Sequence, residues 1–304
     1  MSIELASKWR AWVIEALESG ASAEEVRGEL LAEGVPEELV ERELAVAAAV
    51  SEAVRVRDAR LELVLDLLAA QAPRYIARRT LCGTDELYDR YFTAFRPVVF
   101  TDGCARMAAA AWSFAGLRER LGDVEIEIGA GEPVTMQLRE AIDVMLSEAA
   151  PSDFYVVSRN RALAGPLRGL TVDLAPLPEF LHPEHAASTA NLWMGPAGTR
   201  TGLHHDTTHV YFCQLVGRKR YRLVAPWTKQ VLRGSILGAG DSDFDLDQPG
   251  AVRVHVVELA PGESLFIPAG WWHEVYAREP SISVSMRAYI WPADFDWYRP
   301  ARLG

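Results

Sequence analysis

The run Thr201-Gly202-Leu203-His204-His205-Asp206 sets two histidines and an aspartate at the head of an apolar segment, and a later run, Pro268-Ala269-Gly270-Trp271-Trp272-His273, presents another histidine after a tight turn. Side chains at i and i+2 of a strand share a face, so His204 and Asp206 are expected to point into one interior while His205 points away. His273, brought up by the Pro-Ala-Gly turn on a neighbouring strand, is the best third donor. Two neutral imidazoles and one carboxylate make the facial set that suits ferrous iron and leaves positions open for a co-substrate and dioxygen. Zinc more often takes four closed ligands or a set richer in nitrogen and sulfur. His205 and His209 are expected to be non-ligands, and His182, His185 and His255 to be solvated.

Such a site needs a scaffold, and 304 residues suffice for one large domain or two smaller ones. Hydrophobic residues make up 49% and charged residues 24%, an ordinary globular balance that leaves no case for disorder. With 31 Lys+Arg against 42 Asp+Glu the net charge is -11, which argues against a nucleic-acid partner. No apolar run reaches the roughly 20 residues of a membrane span, and no signal segment is evident in the first twenty positions. Cys82, Cys104 and Cys213 have unrelated spacings that suit neither a disulfide framework nor a cysteine zinc site, so a reducing, cytoplasmic setting is expected.

Up to about residue 75 the apolar positions recur at helical spacing. Trp9, Trp12, Val13, Ala16 and Leu17 make one stripe that Gly20 is expected to end. Ser22 to Glu25 is a capping box, Gly34 closes a short helix, and a longer helix follows Pro36. That last helix has a wider apolar face than a short helix pair covers, which predicts packing on the next domain or on another copy, hence a homo-oligomer. From about residue 80 the pattern turns to short β-rich runs, among them "RPVVF", the alternating "DVEIEI", "DFYVVS", "ANLWMG", "HVYFCQLVG", "KRYRLVAP", "VRVHVVEL", "ESLFIPA", "HEVYA" and "SISVSMRAYIW". Many short strands with Gly and Pro turns predict a mainly β domain over 76–304, an antiparallel barrel or double-sheet jelly roll, behind an N-terminal α-helical region over 1–75.

The two histidine runs also carry a resemblance. Gly198, five residues and His204 resemble the first cupin motif; Gly262, five residues, Pro268-Ala269-Gly270, two residues and His273 resemble the second. Together with "QLVGRKRYRL", they are similar to the JmjC and cupin-8 group of 2-oxoglutarate dioxygenases, and within it to the asparaginyl hydroxylase that inhibits the hypoxia-inducible transcription factor and its bacterial relatives. The resemblance covers roughly residues 85 to 295 and implies a double-stranded β-helix. It implies His204, Asp206 and His273 as ligands of Fe(II), with 2-oxoglutarate and dioxygen as co-substrates. It also implies Lys219 as the anchor of the far carboxylate of 2-oxoglutarate, backed by Thr201 and Tyr155, with Ser285 where the asparaginyl hydroxylase has an asparagine.

The reaction so implied is hydroxylation of a side-chain carbon in a peptide or protein. The alternatives are a free amino acid or small metabolite as substrate, or a non-catalytic metal-binding cupin. Methyl-lysine demethylation is the weaker idea, since no chromatin-reading module accompanies the barrel. The basic loop at 158–169 and the acidic loop at 233–250, with Asp241, Asp243, Asp245 and Asp247, are expected to flank the mouth.

Overall fold

Helix-capping and strand-pairing signals separate along the chain, and so do its parts. The computed structural model describes residues 3–19, 21–129, 132–233 and 242–292. It divides into two compact units, Met1–Gln71 and Ala72–Gly304. Gly20 and Asp241 lie outside the described residues.

The first unit holds α1 (Ile3–Glu18), α2 (Ala23–Ala32) and α3 (Glu37–Gln71). Ser22 accepts from the backbone N–H of Glu25 at 3.2 Å, while the Glu25 carboxylate accepts from the N–H of Ser22 at 2.8 Å, which starts α2 where the capping box placed it. Gly34, at φ +76°, takes the left-handed conformation that ends α2. Val13, Val26, Leu30, Val40 and Ala47 form the core of this unit. Inside it the buried Glu43 receives two hydrogen bonds from Arg10, at 2.7 and 2.8 Å.

The second unit is built on strands. They are β1 (Ala77–Arg79), β2 (Val98–Phe100), β3 (Glu125–Ile128), β4 (Val134–Gln137), β5 (Asn191–Gly195), β6 (Arg200–His204), β7 (Val210–Val216), β8 (Lys219–Val224), β9 (His255–Leu259), β10 (Ser264–Ile267), β11 (Trp272–Ala277) and β12 (Ser281–Met286). One sheet has six strands in the order β1-β2-β10-β7-β12-β5, and a second has four in the order β6-β11-β8-β9. Apart from β1 with β2, the neighbours in these two sheets are antiparallel. Val99, Val210, Phe212 and Leu265 of the larger sheet meet Tyr221, Leu223, Val257 and Leu259 of the smaller in one buried cluster. That is the double-sheet arrangement of a jelly roll. Helices, among them Phe114–Leu121 and Leu138–Met145, bury Leu117, Leu138 and Ile142 in a core shared with Val98, Cys213 and Val284 of the larger sheet.

Two expectations about strands change. "DFYVVS" makes only an isolated bridge from Val156 to Met194, because the Asn160 side chain accepts the N–H of Val157 at 2.7 Å and turns the chain. His255, expected to be solvated, is buried and points inward with Val257 and Leu259, and burial lowers its pKa, with Arg253 adding to the shift. The three cysteines are free and buried. Among the described residues no helix is long and apolar enough to cross a membrane.

Candidate active site

His204 is the last residue of β6 and lies in register with His273 of β11. A register shift follows between His273 and Val275, so the ladder is irregular where the two imidazoles meet. β6 is an edge strand, and its pairing stops here. Asp206 therefore stands beyond the strand, and the period-two argument places it correctly in space for the wrong reason. A loop contact holds it instead: its carbonyl accepts from the N–H of Gly270 at 2.9 Å, and Gly270 reaches that position at φ +79°. The turn that delivers His273 thus also fixes Asp206.

One donor atom from each of His204, Asp206 and His273 lies within 4.8 Å of the others. The imidazole centroids are 4.2 Å apart, and His273 Nε2 is 3.8 Å from Asp206 Oδ2. Both rings hydrogen-bond through Nδ1, His204 to the carbonyl of Gly202 at 2.8 Å and His273 to that of Trp271 at 2.9 Å. A carbonyl only accepts, so each Nδ1 carries the proton and each Nε2 presents a lone pair. His273 Nε2 is buried with no hydrogen-bond partner, which a metal ion would satisfy. Burial, and next the proximity of His204, pushes the pKa of His273 down to about 4, which keeps its imidazole neutral as a ligand must be.

The other histidines are placed apart from this cluster. His205 packs its ring on Trp272 at 4.6 Å. His209 is fully buried among Phe92, Phe95 and Phe266 and accepts from the N–H of Ala269 at 2.8 Å. Trp271 packs near Trp227 and His255, and Phe212 lies edge-on to His273 with ring centroids 6.2 Å apart.

A cavity of about 190 Å³ extends from the cluster between the two sheets, and Lys219, Thr201, Tyr155 and Ser285 all line it. β8 alternates, with Lys219, Tyr221 and Leu223 inward and Arg220 and Arg222 on the other face against Glu258 and Glu274. Lys219 is buried, and its ammonium donates to Ser283 Oγ at 2.6 Å. Burial without a carboxylate partner lowers its pKa to about 7. Gly195 lets Tyr155 lie close to β5, since a Cβ there would come within 2.4 Å of the tyrosine Cβ. Ser285 is already engaged, accepting from Trp193 Nε1 at 2.9 Å.

Ser283, Trp193, Asn191 and Arg287 also line the cavity and escaped the sequence reading. The signal existed for Ser283: in β12 the serines 281, 283 and 285 alternate with Ile282, Val284 and Met286, a polar face on a fully buried strand.

Comparison with known proteins agrees with this geometry. A family model described as a cupin-like domain matches residues 84–291. The chain is similar to "Lysine-specific demethylase JMJ30" of Arabidopsis thaliana, 38% identical over 105 residues, 31% of this chain and 24% of that protein. It is similar to "JmjC domain-containing protein D" of Dictyostelium discoideum, 34% identical over 105 residues, 31% of this chain and 23% of that protein. A longer match, 25% identical over 235 residues, covers 69% of this chain and 25% of "Lysine-specific demethylase JMJ21" of Arabidopsis thaliana. The chain spans about a quarter of the length of these relatives. JmjC cupins work with Fe(II), 2-oxoglutarate and dioxygen, and the His-Asp-His donor set fits that metal. With the matched region spanning every cavity residue named above, and with two facing sheets around the donor set, the chain belongs to the cupin-like family, in its JmjC group.

Proposed function

We propose that this protein is an Fe(II)- and 2-oxoglutarate-dependent dioxygenase that hydroxylates a side-chain carbon of a peptide or protein, with succinate and carbon dioxide as co-products. The observation that carries the reading is a single cavity holding a facial donor set and a buried ammonium without a carboxylate partner among the described residues. On the β8–β11 ladder Leu223 pairs with His273 and Lys219 with Ala277, so four residues, or about 13 Å of strand, separate the two levels. A lysine side chain reaching back along that distance leaves room for a short diacid between the ammonium and the donor set.

In this reading His204, Asp206 and His273 hold the metal, and the carbonyls of Gly202 and Trp271 hold the two rings in their ligating tautomer. Lys219 binds the far carboxylate, with Ser283 orienting the ammonium, and Thr201 and Tyr155 line the same wall. Ser285 positions the Trp193 indole at the cavity wall. Phe212, Val210 and Val275 keep water from the reacting volume. When bound, Fe(II) supplies the activation of dioxygen, coupled to oxidative decarboxylation of 2-oxoglutarate. The protein's share is distance, orientation and exclusion of water.

A second reading follows from the relatives named as lysine-specific demethylases. There the carbon oxidised is an N-methyl group. Mass spectrometry of peptides incubated with the full chain, Fe(II), ascorbate and 2-oxoglutarate separates the two: a gain of one oxygen supports hydroxylation, and loss of a methylene supports demethylation. Succinate formed with a free amino acid but with no peptide would move the proposal to a small-molecule substrate. The reading includes self-association through the exposed apolar face of α3 and a reducing, cytoplasmic setting suited to three free cysteines.

A further inference from the structure

We infer that Arg287 and Asn191 form a carboxylate-binding site at the substrate end of the cavity, so that the substrate carries an acidic group beside the carbon that reacts. The inference rests on the dioxygenase reading above and names the substrate class of that same site.

β12 sets the positions. Ser281, Ser283 and Ser285 line the cavity while Ile282, Val284 and Met286 fill the core, and Arg287 continues the cavity-lining series just past the strand. The series has a direction. Ser283 holds Lys219, Ser285 lies opposite Phe212, whose ring is 6.2 Å from His273, and Arg287 follows two residues on. Arg287 therefore stands beyond the end of the cavity that Lys219 occupies, on the side of the metal donors. Asn191 of β5 pairs with Ser285 and lines the cavity beside it.

Neither side chain has a hydrogen bond or ion pair among the described residues. The arginines of the smaller sheet behave differently: Arg200 and Arg222 grip Glu274, and Arg220 grips Glu258. A guanidinium keeps its charge and offers a planar fork that matches a carboxylate, and the Asn191 amide offers further donors to the same cavity from the neighbouring strand.

The described part of the acidic loop, residues 242–250, does not line this cavity. Its Asp247 accepts from Arg222 Nη1 at 2.5 Å, on the face of β8 opposite Lys219, and Phe244 and Leu246 pack with Leu203, Val224 and Trp272. The expectation that loops of opposite charge flank the mouth is thus corrected for the described part of that loop. On the basic side, Ser158 lines the cavity and the exposed Arg159 and Arg161 follow it. In a protein of net charge -11, Arg287 is thus a cavity-lining cation on the side of the metal donors. A methyl-lysine cation would meet a guanidinium of the same sign there.

The test uses the full chain with Mn(II) and 2-oxoglutarate in the absence of dioxygen. Three pools of capped hexapeptides, doped with Asp/Glu, with Asn/Gln or with Lys/Arg, are compared by fluorescence anisotropy. N-acetylglutamate and a short oligonucleotide serve as further probes. The Asp/Glu pool is expected to bind at least tenfold tighter than the Asn/Gln pool, the preference to shrink to about twofold in Arg287→Gln and to invert in Arg287→Glu. Tight binding of N-acetylglutamate without the acidic pool would support carboxylate recognition and assign it to a small acid. Equal binding of the pools, survival of the acid preference in Arg287→Gln, or stronger binding of the oligonucleotide would overturn the inference. So would a loss of 2-oxoglutarate affinity in Arg287→Gln as large as in Lys219→Met, which would give Arg287 to the co-substrate. Failure of the wild-type chain to bind Mn(II) and 2-oxoglutarate would sink the dioxygenase reading and this inference with it. Intact co-substrate binding with charge-blind peptide binding sinks this one alone.

Discussion

His204 and His273 face each other across the β6–β11 ladder, and each donates its Nδ1 proton to the carbonyl two residues before it, Gly202 and Trp271. The two rings are locked the same way, by backbone that strand pairing and the Pro-Ala-Gly turn hold in place. Outer contacts of this kind alone are worth roughly 10–100-fold in metal affinity. Removing a ligand should cost more, so His204→Ala, Asp206→Ala and His273→Ala are each expected to lose at least roughly 100-fold in Mn(II) affinity by calorimetry. His205, packed on Trp272, is the internal control. If His205→Ala loses metal while His204→Ala keeps it, the assignment of the ligand set is wrong.

Lys219 costs the fold stability. Its pKa is lowered by burial from 10.5 to about 7, so the unfolded chain binds the extra proton between those values. Stability contributed by this position therefore rises as pH climbs from about 7 to 10.5, and below pH 7, where both states are protonated, the cost is complete. It is on the order of 4 kcal/mol. Lys219→Met is expected to be more stable than wild type at pH 7 and to lose the rise at alkaline pH, measured by urea unfolding at several pH values. A variant less stable than wild type at pH 7 would show that the Ser283 contact outweighs desolvation.

The same titration governs the co-substrate. An anion binds the charged ammonium, so above about pH 7 binding must take up a proton, and 2-oxoglutarate affinity should fall by up to roughly tenfold per pH unit. Calorimetry in buffers of different ionisation enthalpy reads that proton directly. A pH-independent affinity between 7 and 9, with Lys219→Met binding as well as wild type, would move the anchor elsewhere.

How far the sequence foretold this site depends on which force placed each residue. The resemblance around "QLVGRKRYRL" implies Lys219, and the pleat of β8 is what turns it inward beside Tyr221, a residue that the sequence reading did not name. Asp206 lies where expected although β6 ends at His204, because the Gly270 contact replaces the pleat, and a long-range backbone hydrogen bond leaves no local pattern. "DFYVVS" has strand composition, yet the Asn160 side chain turns it. Asp247 reads as a mouth residue by sequence and is drawn to Arg222 instead, a pairing set by tertiary structure. Arg287 and Asn191 were illegible because no motif names them; only the absence of a partner beside a cavity does.

Ser285 separates two roles. As acceptor for Trp193 Nε1, its loss leaves an indole N–H without that partner, a cost of about 1–3 kcal/mol. Ser285→Ala is expected to lower stability by that order while changing 2-oxoglutarate affinity less than Lys219→Met does. A large loss of co-substrate affinity at unchanged unfolding midpoint would instead show direct contact with the diacid.

The final prediction concerns α3. Its first turns are covered within the N-terminal unit, where Val40 and Ala47 are buried. Further along, Leu61, Leu63, Val64 and Leu67 are 49–60% exposed, among Arg57, Asp58, Arg60 and Glu62. Large apolar side chains clustered on one stretch of helix favour association, and burying each contributes about 1.5–3 kcal/mol when fully removed from water. A second copy offers the same stretch in return, which is the economy of a two-fold interface. The full chain is therefore expected to scatter light as a dimer at micromolar concentration, and Leu61→Glu with Val64→Glu to return it to a monomer with unchanged Mn(II) affinity. A wild-type chain that stays monomeric across that range would mean that another surface covers these residues, and self-association through α3 would be ruled out.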